Sequence, residues 1–125
     1  MVSNKEEHLL IKNLASKFSD ENIRPYVEEW DMNEIFPSEL YQKMGDIGLF
    51  GIMVPEELGG CGFDCKAYAI VMEELSKGYS SVADQCGLVE LLSNILVHHG
   101  TDNQRKLWLE DLIKSKKKGA YCITE

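Results

Sequence analysis

The sequence predicts an all-α bundle of about five to six helices, on three observations. Apolar residues recur at three- and four-residue spacing through most of the chain. These stretches are bounded by capping residues and by glycines where helices end, at Gly48, Gly78 and Gly100. The one exception is 48–63, Gly-Leu-Phe-Gly-Ile-Met-Val-Pro-Glu-Glu-Leu-Gly-Gly-Cys-Gly-Phe, which holds five of the ten glycines together with Pro55 and cannot be helical.

Ser3 or Asn4 is placed to cap a first helix, with Glu6 and Glu7 in its first turn. Leu10, Leu14 and Phe18, flanked by Ile11 and Ala15, form its apolar stripe. Pro25 removes an internal hydrogen bond, which predicts a kink or break. Ile23, Tyr26, Val27 and Trp30 carry the apolar face past it, and the helix fades by Asp31 to Asn33. Pro37-Ser38 opens a second helix with Leu40, Tyr41, Met44 and Ile47 inward and Gly48 at its end. In the segment that follows, Ile52, Met53 and Val54 read as extended chain, because a residue before proline is pushed out of the helical region. Glu56-Glu57 form a turn after Pro55, and Gly59-Gly60 supply positive-φ positions.

Asp64 caps a third helix whose inner face is Ala67, Tyr68, Val71 and Leu75 and which ends at Gly78. Ser80 or Ser81 caps a fourth, running to His99. Val82, Ala83, Cys86, Leu88, Val89, Leu91, Leu92, Ile95, Leu96 and Val97 cover most of its circumference and predict the central, most buried helix, with Glu90, Ser93 and Asn94 as polar interruptions. Thr101-Asp102-Asn103-Gln104 is a capping box opening a fifth helix that buries Trp108, Leu109, Leu112 and Ile113. After Gly119 the segment Ala120–Glu125 turns β-branched and aromatic and reads as the first strand of a unit the chain does not include.

Composition narrows the functional classes. The 125 residues make one domain, and 44% hydrophobic with 27% charged residues argues for a packed core rather than disorder. A net charge of −8 argues against a nucleic-acid surface, and the basic run Lys114, Lys116, Lys117 and Lys118 reads as a solvated helix end. No window of about twenty apolar residues is present, so no spanning helix or membrane partner is expected. The N-terminus lacks the features of a transit or secretory leader. Cys61, Cys65, Cys86 and Cys122 lack a zinc-ligand pattern and read as free thiols in a reducing compartment, which makes the expected location cytoplasmic. His98 and His99 point about 100° apart on a helix and His8 belongs to an acidic surface turn, so no metal site is expected. The glycines around Gly59 lack the strand and helix context of a dinucleotide fingerprint, and no nucleophile, base and orienter set is present. No catalytic residue is therefore assigned within the chain.

Three features in this order resemble one family. They are Met53-Val54-Pro55-Glu56-Glu57-Leu58-Gly59-Gly60 after Gly48-Leu49-Phe50-Gly51, then Gly100-Thr101 followed by Gln104-Arg105-Lys106-Leu107-Trp108-Leu109, then Ala120-Tyr121-Cys122-Ile123-Thr124-Glu125. Together they look like the N-terminal helical domain of the acyl-CoA dehydrogenases, over all of 1–125, with 119–125 as the start of a truncated β domain.

The resemblance implies an FAD enzyme that oxidises the α,β bond of an acyl-CoA thioester to a 2-enoyl-CoA. By the family's pattern Tyr121, Ile123 and Thr124 contact the flavin, Thr124 through its hydroxyl and Ile123 through the main chain. The fourth helix resembles the one bordering the acyl channel, with Asp84, Gly87, Leu88 and Leu91 on the face toward substrate and Gly87 leaving room for the chain. The family continues with a proline and a Gly-Ser segment, and its catalytic glutamate lies far downstream, taking the α-proton while hydride passes to flavin N5. The 125 residues alone are expected to be inactive. An electron-transfer flavoprotein is the implied acceptor, and the full-length protein is expected to be a homo-oligomer. An acyl-CoA oxidase, an enoyl-CoA-type reductase and a flavin hydroxylase share this domain. From another class, a cofactor-free helical interaction module stays open.

Overall fold

The computed structural model describes residues 4–124, and among these the regular structure is entirely helical. Helix α1 spans Asn4–Asn22, a 3-10 turn follows at Arg24–Tyr26, and α2 spans Val27–Met32. The break falls at Pro25, as its missing N–H requires. The cap read for Ser3 lies outside the described residues, and Asn4 is already helical.

The buried face of α1 is His8, Ile11, Ala15 and Ser19, not the leucine stripe read from the sequence; Leu10 and Leu14 are 59% and 60% exposed. The cause is the close crossing of α1 with α4, its principal partner. A Cβ on Gly78 would lie 2.3 Å from Ser19 Oγ and 3.0 Å from Ile23 Cγ2, so small residues win the contact face. His8 is buried rather than on the surface, with Nε2 2.9 Å from Asp64 Oδ1. A carboxylate only accepts, so Nε2 carries the hydrogen.

Helix α3, Ser38–Asp46, buries Leu40, Tyr41 and Met44. Ile47 faces outward instead, because the helix has ended and the chain reverses at Gly48, φ +85°. Gly48 N–H donates to Gly45 O (3.2 Å) and Leu49 N–H to Met44 O (2.9 Å), a Schellman closure. The loop that follows folds back on itself. Cys61 N–H donates to Gly51 O (2.8 Å), Gly62 N–H to Val54 O (2.9 Å) and Phe63 N–H to Ile52 O (2.9 Å). Its tip is a 3-10 turn, Glu56–Leu58, closed by Gly59 at φ +90°. Gly60 does not take a positive φ; it is needed because a Cβ there would stand 2.1 Å from Val54 O.

Helix α4, Cys65–Gly78, is capped by Asp64, whose Oδ1 accepts from Ala67 N–H at 2.8 Å. Ala67, Val71 and Leu75 are buried. Helix α5, Ser80–His99, has Tyr79 rather than a serine at its cap position and no side-chain cap bond there. It is not buried all round. Glu90 and Ser93 are inside with Val82, Ala83, Cys86 and Val89, while Leu91 and Ile95 are 43% and 47% exposed.

The capping box holds, with Gln104 N–H donating to Thr101 Oγ1 and Thr101 N–H to Gln104 Oε1. It opens α6, Asp102–Gln104, which runs through a π turn, Arg105–Leu109, into α7, Glu110–Ile113. Leu109, Leu112 and Ile113 are buried, but Trp108 is 45% exposed, since the wider π winding breaks its four-residue spacing to Leu112. The basic run is partly tied down: Lys117 Nζ reaches Asp111 Oδ2 (2.8 Å) and Leu107 O (3.1 Å), and Lys118 sits 4.5 Å over the Phe36 ring. The four cysteines are free thiols. Among the described residues no helix is long and apolar enough to cross a membrane, and no group of His, Cys, Asp or Glu could hold a metal. The expected strand at the chain's close forms no regular structure through Thr124, where a strand would need a partner; Glu125 lies outside the described residues.

Two outcomes are expected. Gly60→Ala forces Val54 backbone to move and lowers stability by about 1–3 kcal/mol in chemical denaturation. The Ala67 amide and then His8 hold the Asp64 carboxyl below its ordinary value, so its contribution is present above that value and lost as pH falls through the depressed one. Asp64→Asn keeps a cap without charge; the stability gap to the parent should close between roughly pH 5 and pH 2.

Candidate functional site

Helix α5 presents two working faces. On the inner one, Cys86 Sγ donates to Leu49 O at 2.9 Å. One turn later the Glu90 carboxylate takes two consecutive amides of the 48–63 loop, Ile52 N–H at Oε2 (3.0 Å) and Met53 N–H at Oε1 (2.7 Å). Asn94 Nδ2 adds a longer contact to Oε1 (3.3 Å) while holding Glu90 O (2.8 Å). These loop amides have no helix or sheet to join, and the carboxylate answers them.

Burial pushes the Glu90 carboxyl above its ordinary value, outweighing the Met53, Ile52 and Asn94 bonds that pull it down. The folded state therefore holds this proton more tightly than the unfolded chain, and the associated stability is full at low pH and declines as pH rises through the raised value. Burial, and then the Glu90 charge, also push the Cys86 thiol far up, so it stays a neutral donor. Sequence reasoning took Glu90 for a polar interruption. The available signal was one acid in an apolar helix with Asn94 four residues on.

The outer face carries Asp84, Gly87, Leu88 and Leu91 together, as their spacing requires. Asp84 and Leu91 are exposed; Gly87 and Leu88 are half-buried. Gly87 lets α5 pack closely on α4, since a Cβ there would lie 3.1 Å from Met72 Cε and 3.2 Å from Tyr68 Oη. Both contacting atoms are flexible side-chain ends. Burial, and then the nearby Glu90 and Asp84 carboxylates, raise the Tyr68 phenol, which stays a protonated donor. The sequence places Tyr68 in the core and gives no role to Met72, although their i, i+4 spacing on α4 puts them on one face.

Tyr121, Ile123 and Thr124 lie on the exposed closing segment, Tyr121 and Ile123 at 52% and 78% exposure. That segment leaves beside α5: a Cβ on Gly119 would meet Leu92 Cδ1 at 2.4 Å and Leu112 Cδ2 at 3.3 Å. A phenol, a hydroxyl and main-chain N–H groups are donors suited to a ligand edged with carbonyls and ring nitrogens, so the residues present fit a flavin. Across the loop from α5, Leu14 and Phe18 of α1 and Leu49, Ile52 and Phe63 line a separate apolar pocket of about 350 Å³.

A sequence model of the acyl-CoA dehydrogenase N-terminal domain matches residues 5–116. The chain belongs to the acyl-CoA dehydrogenase family, as its N-terminal domain. This acyl-CoA dehydrogenase domain is 38% identical over 125 residues to a 3-(aryl)acrylate reductase of Clostridium sporogenes, covering 96% of this chain and 32% of that protein. It is 36% identical over 124 residues to a short-chain specific acyl-CoA dehydrogenase of Clostridium acetobutylicum, covering 95% and 32%. Butyryl-CoA dehydrogenase from Megasphaera elsdenii matches its fold with a TM-score of 0.86 at 30% identity, over 94% of this chain and 32% of that one. The chain thus spans about a third of the length of these relatives.

Glu90→Leu keeps the volume and removes both acceptors. Each amide left unpaired costs about 1–3 kcal/mol, so a loss of at least about 1 kcal/mol is expected in urea unfolding; an unchanged midpoint would show the loop amides satisfied elsewhere.

Proposed function

We propose that this domain supplies one wall of the acyl site and part of the flavin site in an FAD-dependent enzyme that oxidises an acyl-CoA thioester to a 2-enoyl-CoA. The observation that carries this reading is the outer face of α5, apolar at Leu88 and Leu91, without a side chain at Gly87, and adjoined by the segment bearing Tyr121, Ile123 and Thr124. When bound, FAD supplies the two-electron acceptor. Leu88 and Leu91 exclude water along the acyl chain, Gly87 sets how far the chain reaches, and Asp84 keeps the far end of the face polar. Tyr121, the Ile123 main chain and the Thr124 hydroxyl hold the flavin edge. Residues 1–125 belong to the N-terminal helical domain, with 119–125 as the start of a β domain. No residue of this chain is assigned as the base. An electron-transfer flavoprotein as acceptor, a cytoplasmic location and a homo-oligomeric full-length enzyme complete the proposal. A second reading, reduction of a 2-enoyl bond on the same site, is favoured by the identity to the 3-(aryl)acrylate reductase.

The visible spectrum of the full-length protein separates these. Bound flavin that bleaches when an acyl-CoA is added anaerobically supports oxidation. Flavin that stays oxidised with acyl-CoA, but is reoxidised by a 2-enoyl substrate once reduced, supports the second reading. A colourless protein that takes up no FAD overturns both.

Met72 and Tyr68 already crowd the α4 side of Gly87, so Gly87→Leu should turn its bulk toward the outer face. Relative kcat/KM is expected to shift toward shorter acyl chains by roughly tenfold or more, the scale of a methylene or two in an apolar pocket. An unchanged chain-length series would remove Gly87 from the substrate wall.

A further inference from the structure

We infer that Glu90 is a positioning residue for the acyl wall, acting through the 48–63 loop rather than on substrate; the inference rests on the function proposed above. Three facts carry it. Glu90 is 1% exposed, so substrate cannot touch it. Its two oxygens take different amides, Ile52 at 3.0 Å and Met53 at 2.7 Å, which fixes both the depth of the side chain and its rotation. Cys86, on the same face, holds Leu49 O at 2.9 Å, so the helix is gripped at two points one turn apart.

This grip lies behind the acyl wall. Asp84 and Leu88 each stand two residues from a gripping residue, roughly 160° around the helix. The motion this grip opposes is rotation of the helix about its own axis. With side chains about 5–6 Å from that axis, a turn of roughly 10° moves the tips of Leu88 and Leu91 by about 1 Å. A displacement of that size is enough to change how a bound chain is seated. The loop is itself stiff, since seven of its amides pair within it and Gly60 packs closely against Val54. It therefore serves as the fixed reference against which α5 is set.

The experiment uses the full-length flavin-loaded protein and a series of straight-chain acyl-CoA substrates. Glu90→Gln keeps the shape but can accept from only one of the two amides; Asn94→Ala leaves Glu90 in place and removes its contact to Oε1. Both variants should retain bound flavin. The kcat/KM ratio between a four-carbon and an eight-carbon substrate should change by roughly two- to thirtyfold in Glu90→Gln and in the same direction by less in Asn94→Ala, mostly through KM. A ratio unchanged in a flavin-loaded Glu90→Gln, whatever its melting temperature, would overturn the inference and leave Glu90 as a packing residue. Should Glu90→Gln fail to fold, an unchanged ratio in Asn94→Ala overturns it equally. Parent protein with flavin but no acyl-CoA turnover would instead count against the proposed function itself.

Discussion

A carboxylate buried among apolar side chains and bonded to two main-chain amides is the constraint on which this domain turns. The 48–63 loop is too rich in glycine, and too broken by Pro55, to satisfy its own backbone as a helix would. Some of its amides pair within the loop, and Ile52 and Met53 are left over. Glu90 meets both, Cys86 meets the Leu49 carbonyl, and α5 is thereby bonded to the one non-helical element at the centre of the fold. The cost is a desolvated acid, visible as its raised affinity for a proton. The gain is a loop and a helix that move as one body.

Close backbone approach does the rest. Gly78 lets α4 press on Ser19 and Ile23 of α1, and Gly60 lets the loop press on Val54. Gly45 does the same for the Lys114 backbone, which would stand 2.8 Å from a Cβ, and so docks the last helix against α3. With its inner face occupied, α5 turns its remaining apolar residues outward. Leu88, Leu91 and Ile95 make that face, and the closing segment leaves beside it. An exposed apolar face of this kind suits contact with a ligand or with another surface.

The fold was legible wherever local chemistry decides it. The proline break at Pro25, the Asp64 cap, the Gly48 reversal and the Thr101–Gln104 box follow from a few residues each, and all are present. What the sequence hid was set by partners. Periodicity finds an apolar stripe but not which side faces a neighbour, so the leucines of α1 lost to Ala15 and Ser19 once α4 came close. A run of aliphatic residues reads as burial, yet α5 needed an acid inside and left leucines outside, because the loop opposite offers amides. The outer face of α5 could be read because i, i+3, i+4 and i+7 spacing is intrinsic to a helix. The contact of Gly87 with Tyr68 and Met72 could not, since that depends on how α4 and α5 meet.

The most direct measurement is amide hydrogen exchange at Ile52 and Met53 in the parent protein and in Glu90→Leu. Both amides are expected to be protected in the parent to the level of the buried turns of α5. In the variant they should lose that protection, while α4 keeps its own. Fast exchange at Ile52 and Met53 in the parent, or protection that survives without the carboxylate, would contradict this.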